Sequence, residues 1–187
     1  SKGPGDSENG FQIATRANKC LRQKIGPPLP PHGIDCVASH RFKIFFMDNV
    51  KAGSSTVRAS IGNGLSSTWF RSDMPCQPSG RTVNRTKSTC FTTEQLEILF
   101  TFSVVRDPVT KFESGVRQAW LQNPGKFKGR TADDILDQVL KENAFPNEHL
   151  QPNLYRLNGN LQNNRTVQYN FIVRLEHFDK DWLVAAS

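Results

Sequence analysis

No stretch of this 187-residue chain approaches the ~20 consecutive apolar residues that a membrane-spanning helix requires. No signal peptide is recognisable. The chain begins with serine, so a targeting segment or membrane anchor is expected outside it. Long blocks of Lys/Arg are missing, and so is any nucleic-acid-binding module pattern, which argues against a nucleic-acid partner. Four histidines and four cysteines are present, but none has zinc-ligand spacing, so no metal is expected. The G-x-x-x-x-G-K-[ST] order of a nucleotide triphosphate loop is absent, which weighs against an ATP-dependent kinase. There is no internal repeat.

Basic residues exceed acidic ones, giving a net charge of +7. A pI near 9.5 and a mean hydropathy of −0.52 fit a soluble, loop-rich domain with an anionic partner. The size suits one domain with a real core. Residues 1–40 read as a flexible tail followed by a cysteine- and proline-rich lead-in, and 41–187 as a single domain. Four cysteines allow three connectivities; the local one, Cys20–Cys36 with Cys76–Cys90, is the expectation. With the sequons at Asn84 and Asn164, it suggests an oxidising, glycosylating compartment.

The chemistry concentrates in Phe42 to Ile61. An apolar run ending at Met47 reads as a buried strand, Asp48-Asn49 as a turn, and Val57 to Ile61 as a helix stopped by Gly62 and Gly64. Between them lies Lys51-Ala52-Gly53-Ser54-Ser55-Thr56. A lysine and hydroxyls at a helix start suit a phosphate, because free N–H groups and the helix dipole meet the anion there. A second apolar strand, Leu99 to Val105, ends at Arg106-Asp107-Pro108. Asp107 is placed to cap the next helix, which runs to about Leu121 and carries Ser114. Further helices are expected at Phe11–Lys24, Thr93–Ile98 behind a capping box, Thr131–Asn143 and Glu176–Ala186, with a third strand at Val167–Val173. Alternating strands and helices predict an α/β fold with a mainly parallel sheet and a site at the strands' carboxyl ends. Lys51 and Arg106, each just past a strand, can then face one ligand.

Lys51 to Thr56, together with Val105-Arg106-Asp107-Pro108 and Ser114, resemble the two phosphate-binding motifs of the sulfotransferase family. The likeness is to the Golgi-type carbohydrate branch. Asn147 to Pro152 is similar to that branch's acidic-His-x-x-Pro segment, and Tyr169 to Ile172 through Glu176 to its late strand. Val50 departs from the family's usual proline and Lys111 from its arginine. The resemblance spans about Phe42 to Trp182 and implies a P-loop-like sulfotransferase fold, cut short at the C-terminus where the chain ends at Ser187. It implies transfer of a sulfuryl group from 3′-phosphoadenosine 5′-phosphosulfate (PAPS) to a carbohydrate hydroxyl, leaving 3′-phosphoadenosine 5′-phosphate (PAP), in the Golgi lumen or after secretion. Lys51 to Thr56 would hold the 5′-phosphosulfate, and Arg106 with Ser114 the 3′-phosphate. Lys51 would neutralise the leaving group. His149, then Glu148, are the candidate bases, with Asp73 an outside candidate; His32, His40 and His177 have no motif behind them. Lys126, Lys128, Arg130, Arg81, Arg85 and Lys87 are expected to form a basic rim that steers an anionic glycan. The alternative is a catalytically degenerate domain of this type that only binds anionic glycans.

Overall fold

The structure is a computed structural model that describes residues 9–22, 35–64, 86–142, 145, 147–158, 161 and 165–186. Several positions singled out above lie outside these: Cys76, Asn84, Asn164, His32, Asp73, Arg81, Arg85 and the proline-rich stretch 26–33. Among the described residues, five strands form one open sheet in the order β3-β1-β2-β4-β5. They are β1 (Asp35–Ser39), β2 (Ile44–Met47), β3 (Thr86–Lys87), β4 (Phe100–Val105) and β5 (Phe171–Arg174). The helices are α1 (Gly10–Arg22), α2 (Ser54–Gly64), α3 (Thr93–Glu97), α4 (Pro108–Gln122), α5 (Pro124–Phe127), α6 (Ala132–Glu142), α7 (Asn153–Leu157) and α8 (Phe178–Ala186). The chain is therefore an α/β protein with an open mixed sheet flanked by helices.

The expectation of a mainly parallel sheet needs correction. β2–β4 and β4–β5 pair in parallel, but β1 pairs antiparallel with both β2 and β3. The turn His40–Lys43 is too short for a crossover helix, so β1 and β2 must form a hairpin. Residues of the expected lead-in thus belong to the sheet itself.

Alternation along the strands sorts the core into two faces. Phe45 and Met47 point one way, with Cys36, Ala38, Phe91 and Ile172, against α1 and α3. Phe46 points the other way, with Val37, Phe102, Val104 and Val173, against Val57 of α2 and Trp182 of α8. Phe45, Phe46 and Met47 are fully buried, each stabilising the fold by roughly 1.5–3 kcal/mol. A third cluster, Val116, Ala119, Phe127, Ile135 and Leu150, packs α4 to α5, α6 and the 3₁₀ turn at 148–150.

Local signals set most helix starts. Thr92 and Gln95 complete the capping box of α3, and Asp107 accepts from Thr110 N–H at the head of α4, with Pro108 in the first turn. Asn123-Pro124 ends α4 but also starts α5. β5 begins later than expected, at Phe171. The reason lies in side chains that take over its backbone groups. Asn170 Oδ1 accepts Thr101 N–H at 2.7 Å, while Tyr169 exchanges both backbone bonds with the Asn18 amide, each 2.8 Å. The same Asn18 fastens α1 to the sheet.

Cys20 and Cys36 do not form the expected disulfide. α1 packs on β5, whereas Cys36 lies on β1 with β2 and β4 between. Cys90 is disulfide-bonded. No helix among the described residues is long and apolar enough to cross a membrane.

Candidate functional site

The carboxyl ends of β2, β4 and β5 converge, as parallel strands require, and a cavity of about 380 Å³ opens there. Its walls include Lys51, Gly53, Ser54, Ser55, Thr56, Arg106, Ser114, Glu148 and His149. The three chain segments chosen from sequence are therefore brought to one place. Ala52 is the exception: it is fully buried in the core beneath α2. Asp35, Asp48, Val50 and Leu175 complete the wall. Asp35 reaches the site because β1 runs antiparallel and starts where β2 ends, with Asp48 N–H donating to Asp35 O at 2.9 Å.

The first loop is built by a turn in which Ala52 N–H donates to Asn49 O at 3.0 Å. Lys51 takes the third place of that turn with φ +64°, where glycine and asparagine are favoured. Gly53 follows with φ +89°, and a Cβ there would meet Leu175 Cδ1 at 2.5 Å. Val57 N–H donates to Gly53 O, closing the first helical turn. The N–H groups of Ser54, Ser55 and Thr56 precede that ladder and remain available to an anion, with the positive end of the helix behind them. The hydroxyls divide. Ser54 is buried and donates to Asn49 O at 2.7 Å, so it shapes the loop, while Ser55 and Thr56 are exposed on the cavity wall.

A chain of asparagines ties the loops together. Asn49 is fully buried; its amide donates to Val104 O at 2.9 Å and to Asn153 Oδ1 at 3.0 Å. Asn153 in turn donates to Arg106 O at 2.6 Å. The β2, β4 and α7 segments are thereby fixed relative to one another. From the 3₁₀ turn that follows β5, Glu176 accepts Asp107 N–H at 2.8 Å and holds the start of α4.

α4 presents Lys111, Ser114, Gly115 and Gln118 on one stripe, the i, i+3, i+4, i+7 spacing that core residues normally fill. Ser114 is on the cavity wall, and the other three touch the segments that build it. Lys111 is only 3% exposed and its ammonium donates to Gln151 O. Burial, and then the neighbouring Arg156, lower its pKa to about 8. Gly115 lets the helix lie against the His149 carbonyl, into which any Cβ would run. Gln118 accepts from Lys51 Nζ at 2.8 Å.

His149 is 9% exposed, and neither ring nitrogen has a hydrogen-bond partner. Burial is the main cause of a pKa below the usual histidine value; Glu148 opposes it, and Lys51, Arg156 and Lys111 reinforce it. The ring is thus neutral at neutral pH, with a lone pair able to accept a proton. Glu148 differs: its side chain is 60% exposed and lies 3.9 Å from Arg156. Arg156, itself buried, also donates to Gln151 Oε1 at 3.1 Å.

The basic strip is placed elsewhere. Lys126, Lys128 and Arg130 are not on the cavity wall; they lie beyond the far end of α4, where Lys126 and Arg130 sit over the Phe127 ring at 5.8 and 6.0 Å. Sequence reasoning missed Asn49, Asn153, Arg156 and Gln118. The polar stripe on α4 was a usable signal for Gln118; the asparagines offered none, since Asx residues near turns are ordinary.

Comparison with protein-family models, with curated proteins and with solved structures returned no match.

Proposed function

We propose that this chain is a PAPS-dependent sulfotransferase acting on a carbohydrate hydroxyl. The observation that carries the reading is the shared wall: the Lys51–Thr56 loop and the Arg106/Ser114 pair, chosen as two phosphate sites, border one cavity together with His149. The residues present fit such a cofactor. Lys51 and Arg106 supply charge at two points, Ser55, Thr56 and Ser114 supply hydroxyls, and His149, whose buried ring nitrogens have no hydrogen-bond partner, borders the same cavity. The volume of about 380 Å³ falls within the range of about 300–1,000 Å³ typical of small-ligand pockets.

Bound PAPS would supply an activated sulfuryl group with a phosphate as its leaving group. In this reading His149 takes the acceptor hydroxyl's proton on a ring nitrogen as that oxygen bonds to sulfur. Lys51 and the N–H groups of Ser54 to Thr56 stabilise the charge that collects on the departing phosphate oxygen. Arg106 and Ser114 hold the 3′-phosphate and so discriminate against cofactors that lack it. Glu148, paired with Arg156, orients rather than accepts. An anionic glycan acceptor and a Golgi or secreted location belong to the same proposal.

Calorimetry with PAP and with AMP tests it. PAP should bind at least tenfold more tightly, and Arg106→Ala should erase most of the difference, a loss of roughly 1.5–3 kcal/mol for a hydrogen bond to a charged group. Equal affinities for PAP and AMP would sink the assignment. Label from radioactive PAPS appearing on a glycan panel separates turnover from mere glycan binding.

A further inference from the structure

We propose that Gln118 is a positioning residue for Lys51, its side-chain oxygen holding the lysine ammonium over the anion end of the cavity. The proposal rests on reading Lys51 as the anion-binding lysine of the first loop. Lys51 leaves its left-handed turn and its Nζ donates to Gln118 Oε1 at 2.8 Å. Gln118 comes one helical turn after Ser114, which lines the same cavity. The tie therefore runs from the first phosphate loop to the helix that carries the second.

An ammonium has three donors and no acceptor. One bond to Gln118 leaves two for an anionic ligand, so the ligand need not displace the amide. A lysine without this anchor would lose its rotamer freedom only on binding, which weakens affinity by up to about tenfold. The chemistry of the anchor also matters. A neutral amide oxygen orients the ammonium without cancelling its charge, whereas a carboxylate in the same place would pair with it and repel a phosphate. The other charged groups on the cavity wall are Asp35, Asp48, Arg106 and Glu148, and Arg156 and Lys111 act on His149 from behind it. Among the described residues none of them bonds the Lys51 ammonium; Gln118 does.

The test compares the full chain with Gln118→Ala and the isosteric Gln118→Glu. Trace acetylation followed by peptide mass spectrometry reads the reactivity of Lys51, and calorimetry with PAP reads anion affinity. Gln118→Ala should acetylate at Lys51 several-fold faster than the parent and bind PAP about tenfold more weakly. Gln118→Glu should acetylate more slowly than the parent and bind PAP more weakly than the alanine variant does. A purely structural glutamine would move the unfolding midpoint and leave the Lys51 rate alone. Equal Lys51 rates in parent and Gln118→Ala overturn the proposal, as does unchanged PAP affinity in that variant. If the parent itself fails to bind PAP, the cofactor reading falls, and the acetylation rates still decide the role of Gln118.

Discussion

Lys51 occupies backbone space that a β-carbon makes unfavourable, by roughly 1–2 kcal/mol. Asparagine tolerates that space better. Lys51→Asn should therefore keep or slightly raise stability in urea unfolding, by up to about 1 kcal/mol, while abolishing PAP binding; a large loss of stability would mean that the turn tolerates lysine freely. The buried ionisable groups make predictions with a sign. Lys111 loses its proton near pH 8 in the folded chain and near 10.4 when unfolded. Between these values the unfolded chain binds more protons, so stability rises with pH across that window. Lys111→Met should remove a rise on the order of 2 kcal/mol between pH 8 and 10, measured as parent minus variant in urea. His149 sits below its ordinary value because of burial. The acid limb of kcat/KM should fall below about pH 6.5, and His149→Phe should cut turnover by about 10²–10⁴ with little change in PAP affinity. A limb above that pH would remove His149 as the proton acceptor.

Elements carry the geometry that residues exploit. α4 is capped at Asp107, tied through Glu176 to the turn after β5, and pressed against the 148–150 turn at Gly115. Gly115→Ala should destabilise the fold by about 1–3 kcal/mol through overpacking, and a crystallised variant should place His149 away from Ser114. Asn153→Ala, which leaves Asn49 and the Arg106 carbonyl short of partners, should cost about 1–3 kcal/mol and weaken PAP binding along with stability. What was legible here was local. Capping box, Asp-Pro helix start and buried apolar runs each act within a few residues, so α3, α4, β2 and β4 could be read from sequence. The two phosphate loops were legible for the same reason: each is a strand end followed by a helix start. The late start of β5 was not, since Asn170 and Asn18 replace its first rungs from distant positions. Nor was β1, whose five residues gain their meaning only by lying beside β2. The burial of Lys111 was not legible either, since its partner, the Gln151 carbonyl, lies 40 residues away.

At the scale of the molecule, the segment read as lead-in proved structural. α1 and β1 lie on the same core face, and Cys20 and Cys36 belong to different elements there rather than to one staple. Alkylation of the native protein should modify Cys20, which is partly exposed, and spare buried Cys36 until unfolding. The bond pair between Asn18 and Tyr169 joins residues 151 positions apart. That separation has a kinetic meaning. On a ribosome α1 emerges well before the strand it docks on, with some 150 residues between them. Throughout that interval its apolar side (Ala14 and Leu21 among them) lacks the strand it docks on. Contacts this distant in sequence form late, because the intervening chain must already be ordered before they repay the entropy of closure. Until Tyr169 arrives, the nascent protein carries an uncovered sheet face, and that interval is when it is most exposed to aggregation and most in need of a chaperone.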